Sequence, residues 1–153
     1  KKLPVNDYLN SLNLIPVSIS YEKDPNDLLK AKEMYLTDLN QKYIKERKED
    51  MESIFQGING PKGYVYLNIG EVMHFNLDSY EECSDQITEA IKQSYHLHST
   101  NYAAAVIQGK PNKNDRFSPE EINDAIEYLE NRMTLIPEDM RPYFLNQYSN
   151  SVL

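Results

Sequence analysis

Tryptophan is absent from this sequence, cysteine occurs once, and glycine only five times in 153 residues. A single cysteine, Cys83, excludes an internal disulfide and any Cys-rich metal site, and it suits a reducing compartment. No apolar run approaches the roughly 20 residues that a membrane-crossing helix needs, and no signal peptide is visible. Nor is there a basic excess: sixteen Lys/Arg stand against twenty-four Asp/Glu, a formal net charge of −8. Nucleic-acid affinity comes largely from neutralised phosphates, so an acidic chain without a basic stripe falls outside that class. The nucleophile elbow Gly-x-Ser-x-Gly and the phosphate-cradling Gly-x-x-x-x-Gly-Lys are also missing. So is Met at position 1, which leads us to expect an upstream portion beyond Lys1.

What is present is ordinary for a folded protein. Hydrophobic residues make up 40% and charged residues 26%, values that exclude disorder, collagen and coiled coil. A chain of this length forms one compact domain by default, burying about two-thirds of the surface its unfolded form exposes. Charge is uneven: residues 1–62 carry ten cations and ten anions, and residues 63–153 carry six and fourteen.

Hydrophobic spacing predicts a short helix with Tyr8, Leu9 and Leu12 on one side, stopped at Asn13. In Leu14-Ile15-Pro16-Val17-Ser18-Ile19-Ser20-Tyr21 apolar residues alternate with serines, the pattern of a strand near 15–21 with Pro16 at its start or on an edge. Asp24-Pro25-Asn26-Asp27 opens a long helix near 25–48, with Asp24 as cap, Pro25 at the first position and Asp27 favouring the positive dipole end. Its stripe is Leu28, Ala31, Tyr35, Leu39 and Tyr43. Met51, Ile54, Phe55 and Ile58 allow a second short helix before Gly60-Pro61.

Gly63 to Gly70 reads as part of a second strand near 62–69. Ser79 or Ser84 begins a helix near 79–98 with Cys83, Ile87, Ala90, Ile91 and Tyr95 on one face, and Asn101–Val106 is a small-residue helical segment. The stretch 109–117 is the best linker. Ser118-Pro119-Glu120-Glu121 is a capping box, and Pro137 and Pro142 bracket the turn into a last helix holding Tyr143, Phe144 and Tyr148. Two strands are too few for a stable sheet. They belong either to a larger sheet or to a small helical domain carrying one strand pair.

Candidate chemistry is sparse. His74 and Asp78 form a His-x-x-x-Asp after the second strand, readable as a base with its orienting carboxylate or as a loop histidine near a helix start. His96 and His98 have a spacing that would suit metal ligation on a strand, but at a helix end they suit capping of the negative dipole. Cys83 lies on an apolar stripe and reads as a buried small hydrophobe. Twelve tyrosines against four phenylalanines fit either a membrane-interface belt or core-edge positions with wet hydroxyls. Lys42 to Lys48 reads as an anionic-lipid contact or as a solvated helix face.

Several segments, in order, carry a resemblance. Leu14-Ile15-Pro16-Val17-Ser18-Ile19-Ser20-Tyr21-Glu22 resembles the fourth sequence block of the glycerolipid (glycerol-3-phosphate / 1-acyl-glycerol-3-phosphate) acyltransferase family. Asp24-Pro25-Asn26-Asp27-Leu28-Leu29-Lys30-Ala31-Lys32-Glu33 and Gly57-Ile58-x-Gly60-x-Lys62-Gly63-x-Val65 are similar to the stretch after that block in bacterial members. Tyr95 to Ala103 and Met140-Arg141-Pro142-Tyr143-Phe144-Leu145 are similar to their C-terminal segments.

The resemblance implies the C-terminal portion of an acyltransferase-type α/β fold, with two or so strands, several helices and a helix-rich C-terminus. Residues 1–108 are then the C-terminal half of the acyltransferase domain, 109–117 a linker and 118–153 a helical extension. The implied activity, in phospholipid biosynthesis, moves a fatty acyl group from acyl-CoA or acyl-carrier protein to glycerol 3-phosphate or a lysophospholipid. No metal or other cofactor is implied. The protein would sit in the cytoplasm, peripheral on the inner face of the membrane.

The family's mechanism uses a His-x-x-x-x-Asp pair in which histidine deprotonates the acceptor and aspartate holds the imidazole. That pair is absent here, because Asp78 stands one residue too near His74 and both lie downstream of the fourth block, so this chain alone is expected to be inactive. Only Ile15, Pro16, Val17 and Ser18 carry over, as residues beside the substrate pocket. The competing expectation is a non-enzymatic, acidic, helical protein-interaction module.

Overall fold

In the computed structural model, which describes residues 3–77, 79–111 and 113–152, the chain is mixed and helix-rich. Its elements are α1 (Val5–Ser11), β1 (Val17–Tyr21), α2 (Asp27–Asn40), α3 (Glu49–Asn59), β2 (Val65–Ile69), α4 (Tyr80–Ser94), α5 (Ser99–Ile107), α6 (Pro119–Met133) and α7 (Arg141–Ser149). A 3-10 turn, Glu138–Met140, precedes α7. The two expected strands pair with each other as one antiparallel ribbon. Gly70 N donates to Pro16 O at 2.9 Å and Glu22 N to Tyr64 O at 2.9 Å, a register that sets Val17 opposite Ile69 and Ile19 opposite Leu67.

The chain divides into two compact units, each built from two separate stretches. The first comprises residues up to Ser20 and Val65–His96, and holds α1, the ribbon apart from Tyr21, and α4. Its core is Leu9, Met73, Phe75 and Cys83, with Val5, Leu14, Leu77, Ile87 and Ala90 packed against them. The asparagines of α1 tie down the segment beyond β2. Asn10 Nδ2 donates to Phe75 O at 2.9 Å while Asn10 Oδ1 accepts from Phe75 N at 2.8 Å, and Asn6 Oδ1 accepts from Leu77 N at 2.9 Å. Irregular backbone inside a core needs such partners. Cys83 is buried, as its place on the apolar stripe of α4 implied.

The second unit comprises Tyr21–Tyr64 and the residues from Leu97 onward. Here α5 packs against α6 and α7, and α2 against α7. Ala103 and Ala104 of α5 and Ala31 of α2 are wholly buried, small side chains that let the helix backbones approach. Around them lie Leu129, Met133, Ile136, Met140, Phe144, Leu145 and Tyr148. Residues 118–153, expected as an extension behind a linker, contribute most of this shared core with α2 and α5. The capping boxes on α4 (Ser79 with Glu82) and α6 (Ser118 with Glu121, Pro119 at the first turn) are present.

Three helix limits differ from expectation. Helix α2 starts at Asp27 with Asn26 as cap residue, not at Pro25. The Asp24 carboxylate accepts from Asn26 N at 2.8 Å, so it closes a local Asx turn one step earlier. The same helix ends at Asn40, because Gln41 takes the left-handed conformation, φ 58, and Tyr43 therefore leaves the stripe. Helix α4 ends at Ser94 as Tyr95 turns extended, φ −72 and ψ 127. His98 thus opens α5 as its N-cap residue and does not cap the negative end of α4.

Candidate functional site

The segment Ile15-Pro16-Val17-Ser18 leads into β1 and separates into two faces. Pro16 stands just before the strand, where a residue without an N–H is tolerated. Its ring lies against Gly70 so closely that a Cβ there would stand 2.8 Å from Pro16 Cγ. Ser18 is buried and faces α4: its Oγ donates to Ser94 O at 3.0 Å, and Ser94 Oγ lies 3.1 Å from it. Ser18 and Ser20 are both buried, while Val17 and Ile19, which alternate with them, point outward. Ile15, Val17, Ile19, Leu67 and Ile69 are all between 47% and 64% exposed. The ribbon therefore turns its serines inward and its aliphatic residues to solvent. Of the four expected site residues, Ile15 and Val17 can form an apolar wall, and the Ser18 hydroxyl is already held by the C-terminal end of α4.

His74 and His96 belong to the first unit and His98 to the second. Within the first unit His96 stacks on Tyr66, with ring centroids 4.5 Å apart and planes at 19°. The carbonyl of His74 accepts from Gln86 Nε2 at 3.2 Å, and Asp78, its expected partner, lies outside the described residues. In the second unit His98 is buried and its main-chain N–H donates to Asn101 Oδ1 at 2.7 Å. Among the described residues no group of three or more His, Cys, Asp or Glu side chains is set to hold a metal ion.

The polar centre of the second unit has no signature in the sequence. Asp27 is wholly buried, and its carboxylate accepts from Leu28 N at 2.7 Å, from the Tyr148 hydroxyl at 3.0 Å and from Arg132 Nε at 3.3 Å. A second guanidinium nitrogen of Arg132 also donates to it. Tyr148 in turn accepts from Asp24 N at 3.2 Å, and Gln147 Nε2 donates to Asp27 O at 3.0 Å. Burial, reinforced by the Asp27 charge, pushes the Tyr148 phenol well above its ordinary pKa. Burial also raises that of Tyr128, whose ring carries Lys23 Nζ at 4.8 Å from its centroid. For Arg132 burial opposes the charge, but the hydrogen bond and charge of Asp27 leave its pKa raised.

Every oxygen of the Asp27 carboxylate has a donor, so the cluster ties α2, α6 and α7 together. Nothing local marks it: Asp27 reads as a dipole-favoured first-turn residue, and its partners lie 105 and 121 positions away. Alongside, a groove of about 570 Å³ is lined by Lys30, Glu33, Met34, Thr37, Asp38 and Tyr143, among others. A hydrogen bond to Asp38 raises the pKa of Tyr143.

No family model, curated protein or solved structure matches this chain.

Proposed function

We propose that this chain is the C-terminal portion of a glycerolipid acyltransferase that works at a membrane surface. The enzyme moves a fatty acyl group from acyl-CoA or acyl-carrier protein to glycerol 3-phosphate or a lysophospholipid. The catalytic His-x-x-x-x-Asp pair lies outside these 153 residues. In that reading Ile15 and Val17 form part of the apolar wall beside the substrate pocket, Pro16 fixes the path of the strand, and Ser18 holds β1 on α4. No helix among the described residues is long and apolar enough to cross a membrane, and the reading places the protein peripherally on the inner face of the membrane.

One observation carries the reading beyond the resemblance itself. Two segments that bear the resemblance, around Pro16-Val17-Ser18 and Gly63-x-Val65, are more than 40 positions apart by their numbering, yet the first enters β1 and the second ends at Val65, the first residue of its partner strand β2. Gly63 sits there at φ +61, a conformation that favours glycine. The ribbon's uncovered aliphatic face is what a strand pair taken from a larger sheet presents.

The test is expression of the chain with its native upstream sequence, followed by assay of labelled acyl transfer from both thioester carriers to glycerol 3-phosphate and lysophosphatidate. Transfer by the extended protein, and none by the 153-residue chain, is expected. Absence of transfer to every acceptor sinks the reading. Specific protein association without lipid or thioester affinity favours the acidic interaction module instead.

A further inference from the structure

The sequence contains a single Asn-Gly pair, Asn59-Gly60, and it stands where α3 ends. Every other asparagine precedes a residue with a side chain. The difference is chemical: glycine has no Cβ to keep its amide nitrogen away from the side-chain carbonyl carbon of the asparagine before it. Asn59 is exposed, so water and base reach it.

Two hydrogen bonds of the last helical turn hold these groups. Gly60 N donates to Gln56 O at 2.7 Å, and Asn59 Nδ2 donates to Phe55 O at 2.9 Å. Gly60 itself has left the helix, at φ −68 and ψ 151. Helix ends are the first backbone to open, and little resists opening here, because α3 buries none of its residues and gives none to the core of its unit. Beyond the helix, Lys62 Nζ donates to the carbonyls of Ile58 and Gly60, both at 3.1 Å. An ammonium fixed on either side of Asn59 favours an anion formed on the peptide between them.

We propose that Asn59 is a self-modifying site, at which deamidation turns the Asn59-Gly60 linkage into isoaspartate and releases the end of α3. When the last turn opens, Gly60 N gives its proton to base and attacks Asn59 Cγ. The Cγ–Nδ2 bond breaks, and the nitrogen takes up a proton and leaves as ammonia, so that a cyclic imide joins the two residues. Water then adds to one of the two imide carbonyls and breaks its bond to Gly60 N. Cleavage at the main-chain carbonyl leaves isoaspartate, with the chain running through Cγ and a free α-carboxylate; cleavage at Cγ leaves aspartate. In sum one water is consumed and one ammonia released, with no oxidant, reductant or other co-reactant. The isoaspartyl chain is one methylene longer, and Gly60 has no room for the new path: a Cβ on it would already stand 2.6 Å from Pro25 Cβ, so its backbone lies directly on that ring. The bond from Gly60 N to Gln56 O is then lost, and the new carboxylate stands at the negative end of the helix dipole. None of this depends on acyl transfer.

The experiment is incubation of the 153-residue chain at mildly alkaline pH and body temperature, followed by peptide mapping with mass spectrometry and by labelling with an isoaspartate-specific methyltransferase. Isoaspartate at position 59 is expected to accumulate at least about tenfold faster than at any other asparagine, because only Asn59 precedes a residue without Cβ, and faster still as pH rises. Asn59→Gln, a change at an exposed position that keeps the fold, abolishes the signal there. The converted protein separates from its parent by ion exchange on its added negative charge. Its amide hydrogen exchange over residues 56–60 is expected to rise at least about tenfold, the mark of a helix end that has come away. Isoaspartate at 59 that forms no faster than at the other asparagines overturns the proposal. So does a converted protein whose exchange over residues 56–60 equals that of the parent.

Discussion

Replacing Asp27 by alanine removes the charge around which the second unit is assembled. The carboxylate is wholly buried, whereas the Arg132 side chain is 25% exposed. Breaking a buried pair by deleting one partner costs about 3–5 kcal/mol, because the other charge stays without compensation. Arg132 can turn part of its guanidinium to water, which sets the expected loss at the lower end, about 3 kcal/mol. Tyr148 loses its acceptor as well but keeps the bond from Asp24 N. For a chain of this size that loss lowers the melting temperature by about 6–12 °C.

Asp27→Asn keeps the shape and an acceptor for Tyr148, so it costs about half as much. In a double-mutant cycle with Arg132→Ala the two losses do not add, and the coupling is about 2 kcal/mol. Urea denaturation followed by circular dichroism reads all four proteins. A cost for Asp27→Ala below about 1 kcal/mol, or an additive double mutant, refutes the claim that this pair ties α2 to α6.

Two further predictions concern ionisation and backbone. Because the Tyr148 phenol is raised in the folded state, its contribution is complete below the unfolded value near pH 10 and is lost as pH rises beyond it. Stability should fall above pH 10 with a Tyr148 share of about 1.4 kcal/mol per pH unit, and Tyr148→Phe should remove that share; an equal slope in the variant, by urea midpoints at alkaline pH, defeats the assignment. Gly63 and Gly109 both have positive φ, but a Cβ on Gly63 would stand 2.1 Å from Glu22 Oε2, whereas nothing lies within 4 Å at Gly109. Gly109→Ala should cost about 1 kcal/mol of strain alone, and Gly63→Ala about 2 kcal/mol, since it also disturbs the bond from Tyr64 N to Glu22 Oε2. Equal melting temperatures for the two variants would contradict this.

Local chemistry carries most of the secondary structure. Ser118 with Glu121 and the strand that follows Pro16 are signals contained within a few residues, and both appear where the sequence places them; of the two starts that the sequence left open for α4, Ser79 is the one taken. Errors arise where a side chain has two possible jobs. Asp24 reads as a helix cap, yet it closes an Asx turn at Asn26, because the same carboxylate suits both geometries. Asp27 illustrates the other limit. Its role depends on Arg132 and Tyr148, and no spacing rule links residues on three different helices.

The ribbon and α3 expose a deeper restriction. Hydrophobic periodicity reports that two faces differ, and the usual inference that the apolar face points inward is a second step with its own premise. That premise is that the chain holds all the surface its core will cover. In β1 the buried positions are Ser18 and Ser20, and in α3 the inward contacts run through Ser53, Gln56 and Gly57. In both elements the alternation is legible and its direction reversed. Polar groups can face inward at low cost here because each is matched: Ser18 with Ser94, Ser53 with Asn26, Gln56 with Pro25. The apolar side chains opposite them, Val17 and Ile19 in β1 and Met51, Ile54, Phe55 and Ile58 in α3, are exposed. An element satisfied on its polar side and bare on its apolar side shows that periodicity marks the two faces without saying which of them the core takes.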